Sequence, residues 1–77
     1  MSPRGKQKKS RRDYILIKRV AGNIKKYREH KNLSQEQLQE KTGLAVSRYE
    51  SGKHDMTLTT LSILSKHLDV ETYQLLK

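Results

Sequence analysis

Apolar residues along the chain recur at spacings of three and four, the period of helices with one buried face. Ile17, Val20, Ile24 and Tyr27 mark the first such face, on a segment that begins at Asp13 and runs to about His30. Asn32 closes it. Gly22-Asn23 falls in its middle, where glycine costs about 1 kcal/mol against alanine. Either the helix begins anew there or the glycine admits a close helix neighbour. The second helix has the clearest start signal. Ser34 is placed as N-cap, Gln37 three residues on completes a capping box, and Leu33 with Leu38 forms a hydrophobic staple across the entry. Glu36 lies in the first turn, where the helix dipole favours negative charge. Gly43 supplies the left-handed stop, so the pattern predicts a helix over Gln35 to Thr42.

The next segment, Ala45 to Ser51, is closed by Gly52 and places Val46 and Tyr49 on one face. Neither Leu44 nor Ala45 offers a capping oxygen, and a helix of under two turns must be held by packing. Lys53 to Met56 reads as a loop. Thr57 caps a fourth helix, with Met56 and Leu61 as its staple. Leu58, Leu61, Leu64 and Leu68, with Ile63 beside them, form the expected buried stripe. Asp69 breaks that helix, and Val70 is expected to begin a last short one through Tyr73, Leu75 and Leu76. No stretch sustains the alternation of a strand. The expected fold class is all-α, a compact bundle of four to five short helices.

Charge changes the picture at the N-terminus. The 77 residues carry 17 Lys and Arg against 8 Asp and Glu, a formal charge of +9. Arg4, Lys6, Lys8, Lys9, Arg11 and Arg12 supply +6 of this with no intervening acid, leaving +3 for the rest. Pro3, Gly5 and mutual repulsion argue against compact structure, so residues 1–12 are read as a disordered basic arm and 13–77 as the folded domain. A chain this basic calls for an anionic partner, and nucleic acid is the first class to consider. No apolar run approaches the roughly 18 residues that a membrane span needs. The absence of cysteine removes disulfide, thiolate-metal and cysteine-nucleophile chemistry and fits a cytoplasmic location.

Catalytic and metal readings find little to stand on. His30, His54 and His67 have no paired ligand spacing, the acids are scattered singly, and there is no glycine-rich phosphate loop or nucleophile motif. Neither an enzyme nor a cofactor is expected.

The order of signals resembles the Cro/repressor-type helix-turn-helix family of bacterial and phage regulators. The residues that carry it are Ile24-Lys25-Lys26-Tyr27-Arg28, Leu33-Ser34-Gln35-Glu36-Gln37-Leu38, Thr42-Gly43-Leu44 and Ser47-Arg48-Tyr49-Glu50-Ser51-Gly52-Lys53. Thr60-Leu61, Ile63-Leu64, Leu68-Asp69-Val70 and Leu75-Leu76 follow in the family's register. The resemblance implies that the third helix lies in the major groove of double-stranded DNA while the second crosses the backbone. It puts Arg48 at a position that often contacts a base, with Ala45 and Ser47 on the same DNA-facing segment. Gln35 falls at a phosphate contact made through its side chain and the helix N-terminus, and Ser51 and Lys53 in a loop that touches the backbone. Arg28 and Glu50 match a structural ion pair tying the first helix to the end of the third. A homodimer is expected by the same analogy, pairing two reading helices across ~34 Å of DNA.

One departure bears on function. The family places three more residues between the glycine matching Gly43 and the Ser47-Arg48-Tyr49-Glu50 stretch. Three residues is close to one helical turn, so Val46 and Tyr49 keep their inward phase, but the reading helix is ~4.5 Å shorter at its N-terminus. Arg48, with Ser47, is left to read bases, and the basic arm is expected to add affinity along the backbone or minor groove. Two functions are therefore weighed. One is a DNA-binding transcriptional regulator. The other is a degenerate helix-turn-helix module that binds a protein partner, antitoxin-like, or nucleic acid without sequence preference.

Overall fold

A computed structural model describes residues 12–77; the expected contacts of Arg4, Lys6, Lys8, Lys9 and Arg11 lie outside the described residues. Five helices follow in order: α1 (Tyr14–His30), α2 (Gln35–Thr42), α3 (Val46–Glu50), α4 (Leu58–Leu68) and α5 (Thr72–Leu76). No strand occurs among the described residues.

Most boundaries are set by side chains next to them in sequence. Asp13 accepts the Leu16 amide at the start of α1. Ser34 accepts from the Gln37 amide at 3.0 Å while the Gln37 side chain takes the Ser34 amide at 2.8 Å, a complete capping box on α2. Thr57 caps α4 through the Thr60 amide, and Glu71 with Gln74 boxes α5. The exits of α1 and α4 share one device. Asn32 and Asp69 take left-handed φ values of 57° and 59°. The amides around them return to the last turn, Asn32 N to Glu29 O and Leu33 N to Arg28 O in one case, Asp69 N to Lys66 O and Val70 N to Ser65 O in the other. This Schellman pattern satisfies carbonyls that the helix end would leave open.

Three expectations change. Val70 does not begin α5: its amide is spent closing α4, and the new helix starts only after Glu71. α1 does not begin anew at Gly22, and no neighbour approaches there, since a β-carbon at that position would meet nothing within 4 Å. Packing of the whole apolar face outweighs the local cost of glycine, and the adjacent Asn23 side chain donates to the Leu75 carbonyl at 2.9 Å, fastening α1 to α5. Leu58 is not in the buried stripe of α4 but 82% exposed. It lies roughly 90° from the centre of the line through Leu61, Leu64 and Leu68, on the first turn of the helix.

The core joins Val20 and Ile24 of α1, Leu38 of α2, Val46 of α3, Leu61, Leu64 and Leu68 of α4, and Leu75 of α5. Leu33, Leu44, Tyr27, Tyr49, Met56 and Val70 pack around it. Every helix therefore contributes at least one fully enclosed apolar side chain, and none is stable without the others. α1 packs against α3, α4 and α5, and α2 against α3 and α4. The described helices include none long and apolar enough to cross a membrane.

Candidate nucleic-acid interface

The unit formed by α2 and α3 begins with a helix capped at both ends by its neighbours in sequence and ends with one that has no side-chain cap. Gly43 closes α2 at φ 74°, its amide bonded to Gln39 O at 2.7 Å. The Thr42 hydroxyl then donates back to Leu38 O and accepts the Leu44 amide, so one side chain both finishes α2 and starts the turn. α3 follows directly. Its N-cap is Ala45, which makes no side-chain capping bond. Val46 is buried and Tyr49 packs against the core, so the inward phase survives the shorter connection. The alternating consequence is that Ala45, Ser47 and Arg48 stand exposed on the outer side.

What holds α3 in place comes largely from elsewhere in the chain. Arg28 of α1 grips Glu50 with two hydrogen bonds, Nε to Oε2 at 2.6 Å and Nη2 to Oε1 at 3.0 Å. Its remaining Nη1 donates to the Leu33 carbonyl at 2.7 Å, ahead of α2. The Glu50 side chain is only 4% exposed, so the pair is screened little by water. Bonding to Glu50 holds the Arg28 guanidinium above its already high ordinary pKa, against the opposing effect of burial. Gln35 adds a third donor to the same carboxylate, Nε2 to Oε1 at 2.9 Å. One carboxylate thus ties together α1, the first residue of α2 and the last of α3, fixing the angle between the two helices.

Each expected interface residue can now be placed. Gln35 is half-buried, its side-chain amide committed to Glu50. Its backbone still heads α2, where helix amides present a favourable end to an anion. Ser51 is exposed, but its hydroxyl donates to the Arg48 carbonyl at 2.6 Å and accepts the Lys53 amide, shaping the turn after α3. Arg48 and Lys53 are exposed, and among the described acids none pairs with either. Arg12 is exposed at the head of α1, its guanidinium 3.4 Å from the Tyr14 hydroxyl, which is the leading cause of its raised pKa.

Sequence reasoning missed the Gln35–Glu50 bond and the pair between Lys31 and Asp69 that clasps the end of α1 to the end of α4. Both link residues far apart in sequence, and no local spacing marks them. The Lys31 ammonium, through its hydrogen bond, lowers the Asp69 carboxyl below the ordinary carboxylate range.

Comparisons with known proteins agree with this geometry. The family model described as helix-turn-helix matches residues 24–75. The chain is 42% identical over 67 residues to control protein C.SmaI of Serratia marcescens, the match covering 82% of this chain and 80% of that one. No solved structure matches. The bidentate Arg28–Glu50 tie, the exposed outer side of α3 and every core residue but Val20 lie inside residues 24–75: this chain belongs to the Cro/repressor-type helix-turn-helix family and is a DNA-binding transcriptional regulator.

Proposed function

We propose that the protein binds double-stranded DNA as a homodimer with preference for particular sequences, α3 of each copy entering a major groove. The observation that carries this reading is the division of α3 into an anchored side, Val46 and Tyr49, and a free side, Ser47 and Arg48. Arg48 is the principal base-reading residue, since a guanidinium can bind guanine through two hydrogen bonds worth ~1–3 kcal/mol of discrimination. Ser47 and Ala45 border it. Lys53 and the turn at Ser51 meet phosphates. With its side chain held by Glu50, Gln35 meets phosphate through its backbone amide at the head of α2. Arg12 and the basic residues before it add affinity with little dependence on sequence.

A homodimer is supported by an apolar groove of about 460 Å³ whose lining includes Leu16, Val20, Met56, Leu61 and the exposed Leu58 and Leu76. A two-fold partner would cover these leucines. The name of the Serratia relative, a control protein, supports a regulatory role achieved by binding rather than by catalysis. No observation favours a protein-only partner.

Selection from a random DNA library at about physiological salt tests the proposal. The expected result is a palindromic motif with fixed half-site spacing. Binding that enriches no motif and vanishes as salt rises would overturn it.

A further inference from the structure

Between Asp13 and Glu29, α1 carries five bases and no acid. Arg28 is buried on Glu50, which leaves Lys18, Arg19, Lys25 and Lys26, all exposed. These four are not equivalent. Two contacts fix which line of α1 faces α3 and the turn after it: Arg28 on Glu50, and Ala21 beside Gly52. Lys18 and Lys25 lie about 60° from that line, whereas Arg19 and Lys26 lie about 160° away. The position of Lys18 is confirmed directly. A β-carbon built on Gly52 would sit 3.3 Å from Lys18 Cγ and 3.8 Å from Lys18 Cα. The Lys18 stem thus runs under the turn whose next residue, Lys53, carries its own exposed ammonium. Lys25 stands two turns along the same edge, about 10.5 Å away. Lys26 is directed elsewhere, its ammonium 4.9 Å from the centroid of the Tyr27 ring. Among the described acids, none pairs with Lys18 or Lys25.

We propose that Lys18 and Lys25 form a second row of phosphate contacts on double-stranded DNA, continuous with the turn at Ser51 and Lys53. This rests on the DNA-binding reading above and adds to it an assignment for α1. Lysine suits such a role: its ammonium is a point charge on a flexible stem, fitted to phosphate but not to bidentate base reading. The contacts fix the protein on the duplex without carrying sequence information.

The test is duplex binding by the full chain, measured on a random-sequence duplex pool across about 50 to 200 mM salt. Lys18→Gln and Lys25→Gln are each expected to flatten the slope of log affinity against log salt by about 0.9. Arg19→Gln and Lys26→Gln serve as equal-charge controls and should change it far less, and Lys18→Arg should restore the slope. All four positions are exposed, so the variants should keep the wild-type helical circular dichroism. Equal effects from the four, or an unchanged slope for Lys18→Gln and Lys25→Gln, would overturn the proposal while leaving DNA binding intact. Failure of the unaltered chain to bind the pool would instead overturn the DNA reading, and this assignment with it.

Discussion

α2 and α3 sit side by side in one motif and are built in opposite ways. α2 holds its own instructions: a capping box at Ser34, an acid in its first turn, a left-handed glycine at its end. α3 has five residues and no side-chain cap. Its pose is imposed by Val46 and Tyr49 in the core, by Arg28 on Glu50, and by Gly52 resting on Lys18. The helix proposed to meet DNA bases is thus the one with the least local support. Its orientation is a property of α1 as much as of α3, which lets so short an α3 keep its place in the motif.

If α3 depends on α1 in this way, the largest effect should come from Glu50→Ala. Removing one partner of a buried ion pair typically costs about 3–5 kcal/mol, a large share of what a domain this small possesses. Urea unfolding should show the loss, and Glu50→Gln, which keeps the shape, should lose less. A Glu50→Ala cost below about 1 kcal/mol would mean that α3 holds itself.

The two glycines that close the helices sharpen the comparison. Gly43 and Gly52 have nearly the same φ, 74° and 76°, but a β-carbon at Gly43 meets open space and one at Gly52 meets Lys18 and Ala21. Both alanine variants should bear the left-handed penalty of about 1–2 kcal/mol, and Gly52→Ala should cost more by whatever the α1 contact adds. Equal costs in thermal melts would remove that contact from the account. Ser34→Ala comes next, at about 1 kcal/mol for a lost cap, and its effect should fall on α2 amides in hydrogen exchange. The smallest effect concerns acid. Asp69 has a lowered folded pKa, so its pairing with Lys31 stabilises the fold above the ordinary carboxylate range and is lost as pH falls through the lowered value. Asp69→Asn should therefore melt lower than the wild type near neutrality, and the gap should close as pH falls through the lowered Asp69 value.

Much of this was legible in the sequence because it is local. Ser34 with Gln37, Thr57, Asn32, Gly43 and Asp69 set boundaries through atoms within a few residues, and the apolar period placed Ile24 and Leu64 on buried faces. Legibility ended where distant segments decide. Leu58 kept the stripe's composition but stood off its line, and Val70 was already committed to closing α4. Gln35 looked like a free polar residue until folding brought Glu50 against it. Gly22 shows the converse, a weak local signal overridden by the face on either side of it. For the interface, the resemblance to the helix-turn-helix family named Arg48 and Lys53, but the edge of α1 became visible only once Gly52 was seen lying on Lys18.

The central claim is that the shortened α3 still reads bases, chiefly through Arg48. The most direct test is the affinity of the unaltered chain and of Arg48→Ala for the selected site and for random-sequence DNA at one salt concentration. The account predicts that Arg48→Ala narrows the ratio between the two DNAs by ~1–3 kcal/mol while hardly changing affinity for random sequence. An equal loss on both DNAs would show that Arg48 binds only backbone, and would contradict the claim.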